Sequence, residues 1–312
     1  MKQVRRSPLA GWAQLLRLPN LFTVPGDPLA GFVVASALLD IRVVWAAVAS
    51  VFLYAAGLIT NDLLDYREDL AERPHRPLPS GAVTRGLAWI VAAVFAMMGV
   101  GSAALAGMGA GLWAGATLGL VLLYNAWAKR CFLFGPLVMG ACRASSVLIG
   151  SFAAIGSAWP PMLAWVAAGT IGLYIAAVTA IARDETQTRR IGLLRLAPAV
   201  AAGLWCVIIA AGSLPEILAG QGGHFLVAVI ALLATSWAVQ CAKLLRGQPA
   251  PARVQRTIGM FIRGVLILQA SFLAVCSIAP DGSFRIAGAL LAGGALMLWP
   301  LAALAGRRFY SS

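Results

Sequence analysis

The run Asn61-Asp62-Leu63-Leu64-Asp65-Tyr66-Arg67-Glu68-Asp69 places four of the chain's eleven acidic side chains, with one amide, at the end of a long apolar stretch. Asn61, Asp65 and Asp69 recur at i, i+4 and i+8, so a helix through them sets all three on one face. Like charges at that spacing repel, and the arrangement makes most sense with a cation among them. Oxygen donors of this kind select a hard ion such as Mg2+, which keeps some waters and is commonly shared with substrate phosphates. The chain continues through Arg73-Pro74-His75-Arg76-Pro77-Leu78-Pro79-Ser80-Gly81, a stiff basic loop that ends in a turn. Arginine beside a metal can take the remaining phosphate oxygens. A solvated loop whose acids and bases merely pair is the plain alternative; the helical register and the flanking apolar segments favour the metal.

The elements that must hold these residues are membrane spans. Of the 312 residues 61% are hydrophobic and 11% charged, and the mean hydropathy is +0.85, which excludes an ordinary soluble domain. Ten apolar stretches of about 20 residues are expected, at about 20–38, 43–61, 87–106, 109–127, 132–155, 160–182, 192–213, 223–245, 259–279 and 285–305. Residues 1–19 read as a basic amphipathic segment on the membrane surface, without a cleavable signal. Residues 280–312 read as an extra span with a tail. No connection is long enough for a soluble domain, so residues 1–312 are expected to form one membrane unit.

The net charge of +13 reports orientation. On the ten-span layout, all 24 Lys and Arg residues except Arg42, Arg285 and the mid-span Arg143 fall on one side. That bias predicts cytoplasmic amino and carboxyl termini, with the acidic run on the same face. It also explains the basic charge without nucleic acid, leaving the lipid bilayer as its partner. The five cysteines are scattered singly in apolar segments and read as small buried hydrophobes. His75 and His224 do not form a pair, and no dinucleotide fingerprint, P-loop or Ser-His-Asp order is present.

The pattern N-D-x-x-D-x-x-x-D followed by R-P-x-R-P-L-P-S-G resembles the first aspartate-rich motif of the UbiA superfamily of intramembrane prenyltransferases. Arg17-Leu18-Pro19-Asn20 resembles the family's opening element, and Tyr124-Asn125-Ala126-Trp127-Ala128-Lys129-Arg130 its Tyr…Lys-Arg element. The resemblance implies an all-α bundle of nine transmembrane helices around a cavity, here with a tenth at the carboxyl end. It further implies that Mg2+ holds an isoprenyl diphosphate whose prenyl group passes to a lipophilic, aromatic acceptor, in an integral protein of the bacterial inner membrane. Carried over by position, Asn61, Asp65 and Asp69 would bind the metal, with Asp62 and Arg73 beside them. Arg76 and Lys129 would face the diphosphate, with Tyr124 nearby. Asp184 aligns with the first aspartate of the family's second motif, whereas Thr188 stands where the second aspartate is expected. The implied chemistry is ionisation to an allylic carbocation inside an apolar cavity.

Two charges fall within spans. Arg143 and Asp27 are costly at that depth, so they are expected to pair, to line the cavity and bind the acceptor's polar head, or both. Together with the Tyr174–Ala180 segment they resemble the EboC-like branch, associated with secondary metabolism, which adds Tyr174 to the substrate-binding candidates. The reduced second motif keeps open a non-catalytic or transport-linked relative that binds a lipid phosphate. A UbiA-type terpene cyclase is the third option.

Overall fold

The computed structural model describes residues 8–36, 38–183 and 190–309. Helices follow wherever long apolar runs satisfy their own backbone groups, as a lipid environment requires. In chain order they are α1 (Pro8–Leu15), α2 (Leu18–Leu21), α3 (Gly26–Ser36), α4 (Arg42–Leu64), α5 (Tyr66–Glu72), α6 (Arg85–Ala106) and α7 (Met108–Ala126). After these come α8 (Phe134–Ile155), α9 (Met162–Ala182), α10 (Ala197–Leu218), α11 (Gly222–Leu244), α12 (Pro251–Leu273) and α13 (Ile286–Phe309). Among the described residues nine helices, α4 and α6 to α13, are long and apolar enough to cross a bilayer. The fold is all-α, and α13 covers the stretch expected at about 285–305.

The first expected span, 20–38, is not one continuous helix. Pro25 and Pro28 bracket Gly26 and Asp27, and the chain turns there between α2 and α3. α3 keeps only eleven residues, about 16 Å of helix, which is half a bilayer. Its short length is compensated by contact with α8. A Cβ added at Gly31 would stand 1.8 Å from the Val147 carbonyl oxygen, and one at Gly150 would stand 1.9 Å from that of Pro28. The two backbones therefore touch, as small residues allow between membrane helices. Ser151 Oγ fixes the crossing by donating to the Gly31 carbonyl at 3.1 Å.

α8 and α12 form the centre of the bundle: 67% of the apolar stretch of each is buried, against 17% for α13 at the edge. α8 touches α3, α7 and α9; α12 touches α3, α9, α11 and α13. Outward faces carry Leu112, Leu204, Leu232 and Met297, all exposed as a lipid-facing surface requires.

A second, smaller core organises the acidic end. Leu15 of α1, Ile59 and Leu63 of α4, Leu78 and Val83 of the basic loop and Ala88 of α6 are buried together. Leu15 and Leu78 are almost fully covered, each contributing about 2 kcal/mol to holding loop and α1 on the bundle. At the opposite end Asp40 accepts from Arg42 Nε at 3.1 and 3.0 Å and from Nη2 at 2.6 Å. These bonds hold the Asp40 carboxyl below its usual range and neutralise one of the few basic groups on that face.

Candidate active site

The acidic run does not lie on one unbroken helix, yet its register survives. Asp65 ends α4 and begins α5 with φ −84° and ψ 2°. Its amide still donates to the Asn61 carbonyl at 3.0 Å, and that of Asp69 to the Asp65 carbonyl at 2.8 Å. Lys129 arrives from a 3-10 turn, Ala128–Arg130, directly after α7. Its Nζ donates to Asn61 Oδ1 at 3.1 Å and to Asp65 Oδ1 at 2.5 Å. The two side-chain oxygens thus converge on one position that a cation occupies.

Asp69 turns elsewhere. It is 3% exposed and takes Arg76 Nη1 at 2.9 and 2.7 Å, with Arg73 Nη1 at 3.9 Å. Arg76, expected to face a diphosphate, is here closed on Asp69 and ties the basic loop to α5; Arg73, expected at the substrate, sits beside the same carboxylate. Asp62 lies 3.6 Å from Arg17 Nη2 and accepts from Asn61 Nδ2 at 3.3 Å. The repulsion read from the sequence is therefore offset acid by acid, with Asn61 and Asp65 sharing their cation. Among the described residues no group of three or more His, Cys, Asp or Glu is placed to hold a metal. Asp184, with Thr188, lies outside the described residues.

Below this cluster a cavity of about 250 Å³ runs between α3, α4, α7 and α8. Asn61, Arg17 and Tyr124 line it at the acidic end, and Tyr54 lines it on the α4 side. Arg17 takes a left-handed conformation, φ 45° and ψ 55°, a strained choice for a residue with a Cβ that aims its guanidinium at the mouth. Asn125 Nδ2 donates to the Gly57 carbonyl at 2.9 Å and fixes α7 against α4.

Farther in, Asp27 and Arg143 meet, and both line the cavity. Arg143 Nη2 donates to Asp27 Oδ1 at 3.1 Å and to the Thr23 carbonyl at 3.0 Å. Its Nε is 2.7 Å from Asp27 Oδ2, an ionic contact off the N–H axis. Gln269 of α12 adds Nε2 bonds to Asp27 Oδ1 at 2.6 Å and to the Thr23 carbonyl at 2.8 Å. Ser50 and Ser146 share a hydroxyl–hydroxyl bond of 2.7 Å in the same wall. Pairing and cavity lining, which the sequence leaves open singly or together, are both present.

Tyr174 is a correction. Expected at the substrate, it is 1% exposed and its hydroxyl donates to the Phe261 carbonyl at 2.9 Å, joining α9 to α12 away from the cavity. Conversely, Gln269, Tyr54 and the Ser50–Ser146 pair lie in no sequence motif, and Arg17 enters only through the Arg17–Asn20 element. Gln269 carried a signal, as a lone amide in an apolar span.

These features define a class: a helical membrane protein with a carboxylate–cation cluster at the mouth of an internal cavity. The sequence pattern of the UbiA prenyltransferase family matches residues 28–265, most of the chain, and the chain belongs to that family. Its relatives include the digeranylgeranylglyceryl phosphate synthase of Methanothermobacter thermautotrophicus, 35% identical over 133 residues, covering 36% of this chain and 46% of the relative. The enzyme of that name from Methanopyrus kandleri is 31% identical over 164 residues, covering 51% and 60%. The chain thus spans about half the length of the curated relatives it matches. The UbiA homologue of Aeropyrum pernix shares the fold with a TM-score of 0.58 at 21% identity, covering 81% of this chain and 96% of that one. The Archaeoglobus fulgidus homologue bound to DMAPP and Mg2+ gives 0.57 at 15% identity, covering 86% and 99%.

Proposed function

We propose that this chain transfers a prenyl group from an isoprenyl diphosphate to a lipophilic acceptor inside the membrane, with Mg2+ as cofactor. The observation that carries the reading is the convergence of Asn61 Oδ1 and Asp65 Oδ1 on one cation position at the mouth of an internal cavity. The Lys129 ammonium group stands in for a metal there, and an amide plus a carboxylate is a hard-oxygen set that suits Mg2+. Asn61 and Asp65 would hold the ion, with Asp69 and Asp184 completing the acidic surroundings. The Archaeoglobus fulgidus homologue with DMAPP and Mg2+ supports that ligand pair. Bound Mg2+ would supply charge neutralisation for the departing diphosphate.

The chain's own residues do the rest. Lys129 and Arg17 supply positive charge around the diphosphate, while Arg76, closed on Asp69, holds the basic loop beside it. The C1–O bond breaks heterolytically, and the acceptor's electron pair forms the new bond to C1. Tyr54 and Tyr124 present rings to the developing carbocation, which is attracted to aromatic faces. The cavity excludes water that would otherwise quench it. An aromatic acceptor, losing a ring or hydroxyl proton after attack, suits this chemistry. The positive-inside bias supports a cytoplasmic acidic end and cytoplasmic termini, with residues 1–312 acting as one membrane unit.

The test is purified protein in nanodiscs with Mg2+, geranyl, farnesyl or geranylgeranyl diphosphate and a panel of lipophilic phenols and hydroquinones as acceptors, followed for donor binding and pyrophosphate release. Release that falls by about 100-fold or more in Asp65→Asn, as removal of a strong transition-state charge contact predicts, supports the reading. Binding without release at every chain length and with every acceptor sinks it in favour of a non-catalytic relative. Release without any acceptor points to a cyclase.

A further inference from the structure

We propose that Arg143 recognises the acceptor, and that the acceptor presents an uncharged oxygen, a phenol, quinone carbonyl or ester, to its Nη1. The proposal rests on the prenyl-transfer reading and names the second substrate's class. Arg143 is 9% exposed, and what remains exposed opens into the cavity. Its Nε and Nη2 are committed to Asp27 and Thr23. Among the described residues no protein acceptor is given to Nη1, which leaves one guanidinium edge with donors for a ligand. Asp27, fully buried, and Gln269 are positioning residues: they hold the guanidinium so that this edge faces inward.

Depth and charge narrow the ligand. Ser50 lies three helical turns before Asn61 on α4 and bonds Ser146, which lies one turn beyond Arg143 on α8. Arg143 therefore sits roughly 12 Å below Asn61 along the helix axes. An acceptor headed by Arg143 has room for one ring between its oxygen and a prenyl C1 held at the mouth, and 250 Å³ suits a head of that size. The Arg143–Asp27 pair carries no net charge. A carboxylate or phosphate placed here would be a buried anion without a counter-charge of its own, which a low-dielectric wall penalises. A neutral oxygen accepts from Nη1 without that penalty, and the Ser50–Ser146 hydroxyls offer a second polar contact.

The test uses the full chain in nanodiscs at pH 7, without donor or Mg2+, and a matched pair of probes that differ only in the oxygen group offered: methyl benzoate and benzoate. Equilibrium dialysis is expected to show the ester binding at least tenfold tighter than the acid. Arg143→Met should weaken the ester about tenfold while Mg2+-dependent geranylgeranyl diphosphate binding stays within twofold. Should that variant fail to fold, Arg143→Met combined with Asp27→Leu removes both charges together and gives the same readout. Equal or tighter binding of the acid, binding of neither probe, or an ester affinity unchanged in both variants overturns the proposal. A wild-type chain that binds no prenyl diphosphate sinks the prenyl-transfer reading instead, and the two-probe comparison still stands.

Discussion

Lys129 Nζ stands 2.5 Å from Asp65 Oδ1, and the same ammonium group reaches Asn61 Oδ1 at 3.1 Å. On the proposed reading a metal would be held at the same point, so metal and lysine would compete for it. Removing the competitor in Lys129→Ala should tighten Mn2+ binding to donor-free protein about tenfold, a modest part of the ~4 kcal/mol between two close charges near a protein surface. Titration followed by electron paramagnetic resonance measures this. Weaker Mn2+ binding in the variant would show that lysine and metal do not share the site.

Asp69 separates structure from chemistry. Its contacts run to Arg76 and Arg73 in the basic loop, so Asp69→Asn should loosen that loop. Loss of one partner from a largely buried pair costs about 3–5 kcal/mol, reduced here because the Arg76 side chain is 24% exposed. Faster proteolysis within residues 73–83, at unchanged susceptibility elsewhere, is the expected result. A protease pattern identical to wild type would place Asp69 outside the loop's anchoring.

A double-mutant cycle reads the inner pair. Asp27→Leu alone leaves Arg143 buried without its counter-charge and should destabilise by about 3–5 kcal/mol. Adding Arg143→Met should recover much of that loss, because a neutral pair of similar volume replaces two charges. Thermal unfolding in detergent measures both variants, and strictly additive losses would contradict the pairing.

Gly150→Ala tests the α3–α8 crossing. The new Cβ would meet the Pro28 carbonyl oxygen at 1.9 Å, and overpacking of this kind costs about 1–3 kcal/mol or more. Gly169→Ala on α9 meets nothing within 4 Å and should be neutral or gain up to about 1 kcal/mol from helix propensity. Equal effects at the two positions would refute the close approach.

Orientation has its own check. A single cysteine at Ser80 should react with a membrane-impermeant maleimide only after the cytoplasmic face is opened, and one at Ser283 should react from outside in intact cells. The reverse pattern would invert the bundle.

Much of this was legible in the residues because it was encoded locally. The i, i+4 spacing of Asn61, Asp65 and Asp69 holds across the α4–α5 break, since the backbone bonds continue through it. Asp27 and Arg143 announced themselves as charges too costly to leave unpaired in a membrane. Gln269 carries only the weaker signal of a lone amide, because its partner lies 242 residues away and an amide can bond within its own helix. The break before α3 was written in Pro25 and Pro28, but a hydropathy average over twenty residues does not register it. Tyr174 was misplaced because a motif gives a residue's neighbours in sequence, not the face of the helix it occupies.

The half-length α3 has a consequence for how the chain is built. It is too short to span alone and carries a carboxylate whose partners, Arg143 and Gln269, emerge 116 and 242 residues later. Until α8 and α12 are in the membrane, α3 has no low-energy place in the hydrocarbon. A helix synthesised ahead of every spanning helix is then among the last to dock, and its arrival closes the cavity wall.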